Sequence, residues 1–192
     1  MDTFSQRAVK KSRINRSKKW TKFADFLLKR GITANHMTFV SLICGLLAVF
    51  FLFENYFLFL LFGILHLFFD AYDGVLARLS KATKTGKYFD FISDQTISLL
   101  AIIKLGWFIQ DYYVFIIAGL YLFTNMIHLF YNFEAPVIFM RSAVLIVLAF
   151  VSFPSFPFAN YILTIGYLLV GATVLFSLGK QLQWFVMKIK SN

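Results

Sequence analysis

The chain has 192 residues, 59% of them hydrophobic and 26 of them Phe, with a mean hydropathy of +0.72. Soluble domains hold roughly 45–50% apolar residues, so this composition excludes an ordinary soluble fold and points to an all-α polytopic membrane protein. The net charge of +10 would suggest a nucleic-acid partner in a soluble protein. Here membrane topology explains it, and no nucleic-acid binding is expected.

Residues 1–19 carry seven Lys or Arg with little apolar periodicity, which reads as a basic cytosolic arm. From Trp20 onward, Phe23, Ala24, Leu27 and Leu28 recur at i+3, i+4, i+7 and i+8, while Lys22, Asp25, Lys29 and Arg30 fill the other face. The pattern predicts an amphipathic helix over 20–31 that ends at Gly31 and lies in the membrane interface. The next apolar run, from about Ile32 to Phe53, is too long for the apolar stretch of a cleavable signal peptide. Cys44 lies within it; a single cysteine excludes an internal disulfide framework and reads as a small core residue.

Six spans are expected, near 33–53, 56–79, 86–110, 112–133, 137–153 and 160–185, so that residues 32–192 form one membrane domain. Pro136, Pro154 and Pro157 fall at or beside span ends, where proline costs little. Six spans place both termini on one side together with the 2–3 and 4–5 connections. Of the 19 Lys and Arg, ten lie in residues 1–30; Arg78, Lys81, Lys84, Lys87, Arg141, Lys180, Lys188 and Lys190 join them on that side. Lys104, inside the third span, is the exception, and the opposite side holds only Glu54 and Asp111. This bias predicts cytoplasmic termini for a multi-pass protein of the inner (cytoplasmic) membrane. Anionic membrane lipids are expected to add to the attraction.

The stretch FFDAYDGVLARLSKATKTGKYFDFISDQ, residues 68–95, places four aspartates in this apolar setting. At about 100° per residue, Asp70, Asp73, Gly74 and Ala77 share one helical face, and Gly86, Asp90 and Asp94 share a face of the next helix. The short connection predicts antiparallel neighbours with all four carboxylates in one cleft. A charge near mid-span is disfavoured by about 2.5–3.5 kcal/mol, and like charges repel. Such a cluster persists if it binds cations or stays partly protonated; Arg78 offsets one charge at most. Carboxylate oxygens without a coordinating His or Cys pattern suit Mg²⁺ or Mn²⁺, and four acids suggest two ions.

The pattern Asp70-x2-Asp73-Gly74-x2-Ala77-Arg78-x7-Gly86-x3-Asp90-x3-Asp94 resembles the signature of the CDP-alcohol phosphotransferase (CDP-alcohol phosphatidyltransferase) family. The resemblance extends to an interfacial helix with six spans, and to Asn35-x2-Thr38 opening span one, where Ala34 stands in place of a proline common in the family. It implies an enzyme of phospholipid biosynthesis that transfers a phosphatidyl-type group from a CDP-linked lipid to an alcohol acceptor, releasing CMP. By the same resemblance, Asp70, Asp73 and Asp90 hold two divalent ions on the donor diphosphate. Asp94 completes the second ion's shell and takes the proton of the attacking hydroxyl. Gly74 and Ala77 leave room for the cytidine, Arg78 orients nucleotide and acids, and Gly86 belongs to the same nucleotide-binding set. A homodimer is expected.

The acceptor is not legible: Asp90-Phe91-Ile92-Ser93-Asp94-Gln95 matches neither the glycerophosphate-using nor the inositol-phosphate-using pattern of the family. Arg141, Lys84 and Lys87 are candidates for a phosphorylated acceptor, with ordinary positive-inside charge as the alternative. His66, one turn before Asp70, either pairs with it or is a packed histidine. His128, Asn125 and Asn132 either line an acceptor pocket or bond between helices. A rival class, a cation carrier or channel using the acids as an ion path, requires polar groups onward through the bilayer. Beyond Asp94 the span offers Gln95, Thr96, Ser98 and Lys104, a poor cation route. A catalytically dead scaffold would have lost an acid, and none is lost.

Overall fold

The computed structural model describes residues 21, 23–80, 83–138, 141–153 and 158–191; the expected basic arm of residues 1–19 lies outside them. Seven helices form the described chain: α1 (residues 23–29), α2 (Ala34–Phe51), α3 (Tyr56–Leu79), α4 (Lys84–Ile109), α5 (Tyr112–Phe130), α6 (Arg141–Val151) and α7 (Ala159–Ser191). No strand occurs among the described residues. The all-α membrane architecture expected from composition is the one observed.

Local chemistry sets the helix ends. Thr33 precedes α2, and its backbone N–H donates to His36 Nδ1 at 3.3 Å. The side chains of Asn55, Thr83 and Asp111 accept from the first-turn amides of Leu58, Gly86 and Tyr113, so α3, α4 and α5 each begin on a side-chain cap. Gly31, at φ +79°, closes α1 in the left-handed conformation that glycine adopts freely.

Among the described residues, five helices (α2, α3, α4, α5 and α7) are long and apolar enough to cross a membrane. The segment expected as a fifth span near 137–153 contributes α6, 11 residues long, or about 16 Å of helix. Residues 131–138 ahead of it are not helical, because Asn132 and Phe133 turn left-handed at φ 51° and 67° and stop α5. At the other extreme, α7 runs 33 residues, about 50 Å, well past the expected end near 185.

Apolar packing is concentrated at one end of the bundle. Ala48 of α2 and Leu52 just after it, Phe59 of α3, Ile97, Ala101 and Ile102 of α4, Val114 of α5, Leu148 of α6 and Leu163 of α7 are buried together there. At the acid-bearing end the bundle is more open, and a smaller cluster joins Ala24 and Leu27 of α1 to Met37, Tyr72, Val75 and Leu76. The amphipathic helix thus turns Ala24 and Leu27 onto the protein and leaves Phe23 and Phe26 exposed, as a helix seated against lipid does. Exposed Trp107, Tyr112, Tyr113 and Tyr161 mark the opposite end with the aromatic belt of a membrane interface. Lys104, the exception to the charge bias, is neutralised locally: its Nζ donates to the Phe50 carbonyl and lies 3.6 Å from Glu54 Oε1.

As expected, α3 and α4 are neighbours that face each other across a cleft where Asp70 meets Asp90 and Asp94. Among the described residues α3 and α4 are not in backbone contact; α2 packs against both on one side and α6 touches both on another. The gap between them is the cleft that the acids line, and repulsion among like carboxylates opposes its closing. The scaffold is therefore α2, which approaches α4 through Gly45. A Cβ at Gly45 would lie 2.2 Å from Ile97 Cδ1 and 2.8 Å from Ile97 Cγ1, and Ile97 is fully buried. Gly45→Ala is expected to cost about 1–3 kcal/mol by overpacking, seen as a lower thermal midpoint in detergent, with part of the loss recovered in an Ile97→Val background. A wild-type midpoint for Gly45→Ala would contradict this close approach.

Candidate active site

The cleft is built from one face of α3 and one of α4, with α2 and α6 supplying its flanks. Oxygen atoms of Asp70, Asp90 and Asp94 lie within 4.8 Å of one another, and all three side chains are half-buried. Asp73 stands at the edge of this trio, 5% exposed, with its Oδ2 accepting from Thr38 Oγ1 at 2.8 Å. Three of the four acids thus converge, and the fourth is moored to α2. Asp90 Oδ1 is buried without a hydrogen-bond partner. An orphaned carboxylate oxygen costs free energy unless a cation or a proton meets it, and an all-oxygen set of this kind fits a hard divalent ion.

A cavity of about 370 Å³ adjoins the acids, lined by Asp73, Gly74, Ala77, Gly86, Lys87 and Asp90 from α3 and α4, and by Asn35 and Thr38 from α2. The motif residues without bulk therefore edge an open space. Gly86 has a second reason to be glycine: a Cβ there would lie 2.8 Å from Asn35 Oδ1. Asn35 and Thr38 thus reach the site from α2, Asn35 against Gly86 and Thr38 on Asp73. Ala34 is the first helical residue of α2, a position where proline is favoured but a strong helix former serves as well. Arg78 is exposed, with its Nη1 3.6 Å from the position of a Cβ on Gly74.

The three candidate acceptor residues separate. Arg141, the first residue of α6, donates from Nη1 and Nη2 to Asp70 at 2.9 and 2.5 Å and from Nη1 to Asp94. Lys87 lines the cavity, and its ammonium sits 4.0 Å from the centre of the Phe133 ring. Lys84 is exposed at the start of α4. Nothing in the spacing foretold the partners of Arg141, because 71 residues separate it from Asp70.

The histidines and amides all find partners within the protein, and Asn125 also lines a small cavity between α4 and α5. His66 is 1% exposed, and its Nδ1 lies 2.8 Å from Ser41 Oγ and 3.0 Å from the Ser41 carbonyl, not on Asp70. His128 bonds the Ala135 carbonyl, Asn125 donates to the Tyr121 carbonyl at 2.8 Å, and Asn132, in the turn after α5, accepts from Tyr88 of α4 at 2.5 Å.

The family model for CDP-alcohol phosphatidyltransferases matches residues 31–189. The chain belongs to the CDP-alcohol phosphatidyltransferase family. Membership makes it a membrane transferase of phosphate-containing groups, acting between a CDP-alcohol and an alcohol acceptor, in a family that is generally dependent on divalent metal. No curated protein and no solved structure matches the chain.

The mooring of Asp73 is testable. Thr38→Val keeps the side chain's shape and removes the donor, so it is expected to cost about 1–3 kcal/mol, read as a lower thermal midpoint in detergent. In an Asp73→Asn background the same change is expected to cost less. Equal costs in both backgrounds would contradict the bond.

Proposed function

We propose that the protein transfers a phosphatidyl-type group from a CDP-linked lipid, CDP-diacylglycerol or a similar donor, to the hydroxyl of a small alcohol, releasing CMP at the cytoplasmic face. The observation that carries this reading is the convergence of Asp70, Asp90 and Asp94 within 4.8 Å beside the cavity edged by Gly74, Ala77 and Gly86.

In this reading the cytidine enters the cavity between α2, α3 and α4, where the absence of bulk at Gly74 and Ala77 admits it. Asn35 and Lys87 flank it, and Arg78 steadies the nucleotide end. Asp70, Asp73 and Asp90 hold two divalent ions, Mg²⁺ or Mn²⁺, with Asp94 sharing the second. When bound, the ions neutralise charge developing on the diphosphate. The chain supplies position and proton transfer. Asp94 removes the proton of the acceptor hydroxyl as its oxygen bonds to the lipid-linked phosphorus. The bond from that phosphorus to the bridging oxygen breaks, and the electron pair leaves with CMP. The lipid tails stay in the bilayer while the polar part reaches the acids from the open end of the bundle.

A cation path is disfavoured by packing. Beyond Asp94, α4 continues through Ile97, Ala101, Ile102 and Leu105, all buried in the apolar core. The positive-inside bias supports cytoplasmic termini on the same side as the acids.

Incubating the purified protein with CDP-diacylglycerol, Mg²⁺ and a panel of alcohols is expected to release CMP with a subset of acceptors. Excess chelator is expected to abolish release. Asp94→Asn keeps size and one coordinating oxygen but loses the base, so turnover is expected to fall by at least about 10²-fold with CDP-diacylglycerol binding largely kept. Full turnover in chelator would remove the ion reading, and near wild-type turnover of a folded Asp94→Asn would remove the base assignment.

A further inference from the structure

Arg141 commits its guanidinium to two acids to which the proposed reaction gives other work. It donates to both oxygens of Asp70 and to Asp94, and its side chain is only 12% exposed. The same two aspartates, with Asp90, make up the oxygen set that fits a divalent ion. We propose that Arg141 is a tethered competitor of that ion: it neutralises Asp70 and Asp94 when no ion is present, and ion loading transfers it to an anionic group on the acceptor. The proposal rests on the reading above for the ion and the acceptor.

Three observations lead to it. A guanidinium held on both oxygens of Asp70 occupies a lone pair on each, on a carboxylate that an ion in the cleft also needs. A guanidinium and a dication sharing the same half-buried carboxylates also repel each other, with little water between to screen them. One cation therefore displaces the other. Finally, the backbone of Arg141 has nowhere to go: it opens α6, whose Leu145, Leu148 and Val151 are buried. Only the side chain moves.

The consequence concerns the acceptor. Arginine stays protonated in proteins, so a displaced Arg141 remains a positive charge at the edge of the cleft, without its former partners. A buried charge stripped of its partner is strongly destabilising. An alcohol that also carries a phosphate or a carboxylate supplies the missing anion and brings its hydroxyl beside Asp94, which the same movement has freed. A neutral alcohol leaves Arg141 unpaired. The order follows: ion first, anionic acceptor afterwards. Lys84 and Lys87 are exposed, one of them held over Phe133, and neither bonds the acids.

The test is Mn²⁺ binding to the full chain in detergent, without substrates, followed by the electron paramagnetic resonance signal of free Mn²⁺. Removing a competitor tightens binding, and the charge-assisted bonds at stake set the scale. Arg141→Met is expected to bind Mn²⁺ at least about tenfold more tightly than the wild type. Arg141→Lys, which keeps the charge but loses the two-pronged fork, is expected to tighten it less, and it carries the comparison if Arg141→Met does not fold. Sulfate at constant ionic strength serves as the anion probe. It is expected to tighten Mn²⁺ binding to the wild type, by drawing Arg141 away, and to leave Arg141→Met unchanged.

A wild type that binds no Mn²⁺ would overturn the ion site of the proposed function and this inference with it. Mn²⁺ binding that is equal or weaker in the variants would overturn the competition alone and would make Arg141 a fixed structural counter-ion. A sulfate effect that survives in Arg141→Met would overturn the transfer to an anion.

Discussion

Mutual repulsion of carboxylates at membrane depth is the constraint on which this architecture turns. Two unit charges 4.8 Å apart, the outer limit for the oxygens of Asp70, Asp90 and Asp94, repel by about 3 kcal/mol at an effective dielectric constant near 20. The two pairs that cross the cleft, Asp70 with Asp90 and Asp70 with Asp94, with Asp73 nearby, would drive α3 and α4 apart if nothing else held them. The structure answers in three ways. The two helices do not pack on each other, Thr38 hydrogen-bonds Asp73 from α2, and Arg141 spans Asp70 and Asp94 from α6. The two contacts come from different helices, α2 and α6, so the cleft is maintained by its surroundings and not by its own walls.

The division of the bundle into a packed end and an open end follows from that. Ile97, Ala101, Ile102 and Leu105 lie on α4 beyond Asp94 and close the core with α2, α5, α6 and α7. This apolar contact anchors the helices that carry the acids, and Gly45 brings α2 near enough to α4 to lock their spacing. The acid end is left free to form a cavity. The proposed donor, with tails in lipid and a charged head, calls for such a shape, with a rigid apolar body in the bilayer and an accessible polar mouth.

The sequence made part of this legible because charge in an apolar run is costly and therefore informative. Asp70, Asp73, Asp90 and Asp94 stood out against their background, and helical periodicity assigned them to matching faces. Long apolar segments gave α2, α3, α4, α5 and α7 nearly in full. What stayed hidden were relations that only tertiary packing defines. A short connection made α3 and α4 neighbours around one cleft, but loop length limits only the distance between helix ends, so it could not show that α2 and α6 hold the two walls apart. Hydropathy read residues 137–153 as a span, and the described helix there, α6, covers Arg141–Val151, while left-handed turns at Asn132 and Phe133 end α5 before it. Lys104 looked misplaced because Glu54, its partner, is 50 residues away in sequence. Arg141 read equally well as a topology signal, since its charge was visible and its partners were not.

The central claim, that the carboxylates of α3 and α4 form a seat for divalent ions where the donor diphosphate is held, has a direct test. Crystals of the full chain soaked in Mn²⁺ can be measured at a wavelength where manganese scatters anomalously. The account predicts anomalous peaks in the cleft, within about 2.5 Å of carboxylate oxygens of Asp70, Asp90 and Asp94. Well-ordered carboxylates with no manganese between them would contradict it.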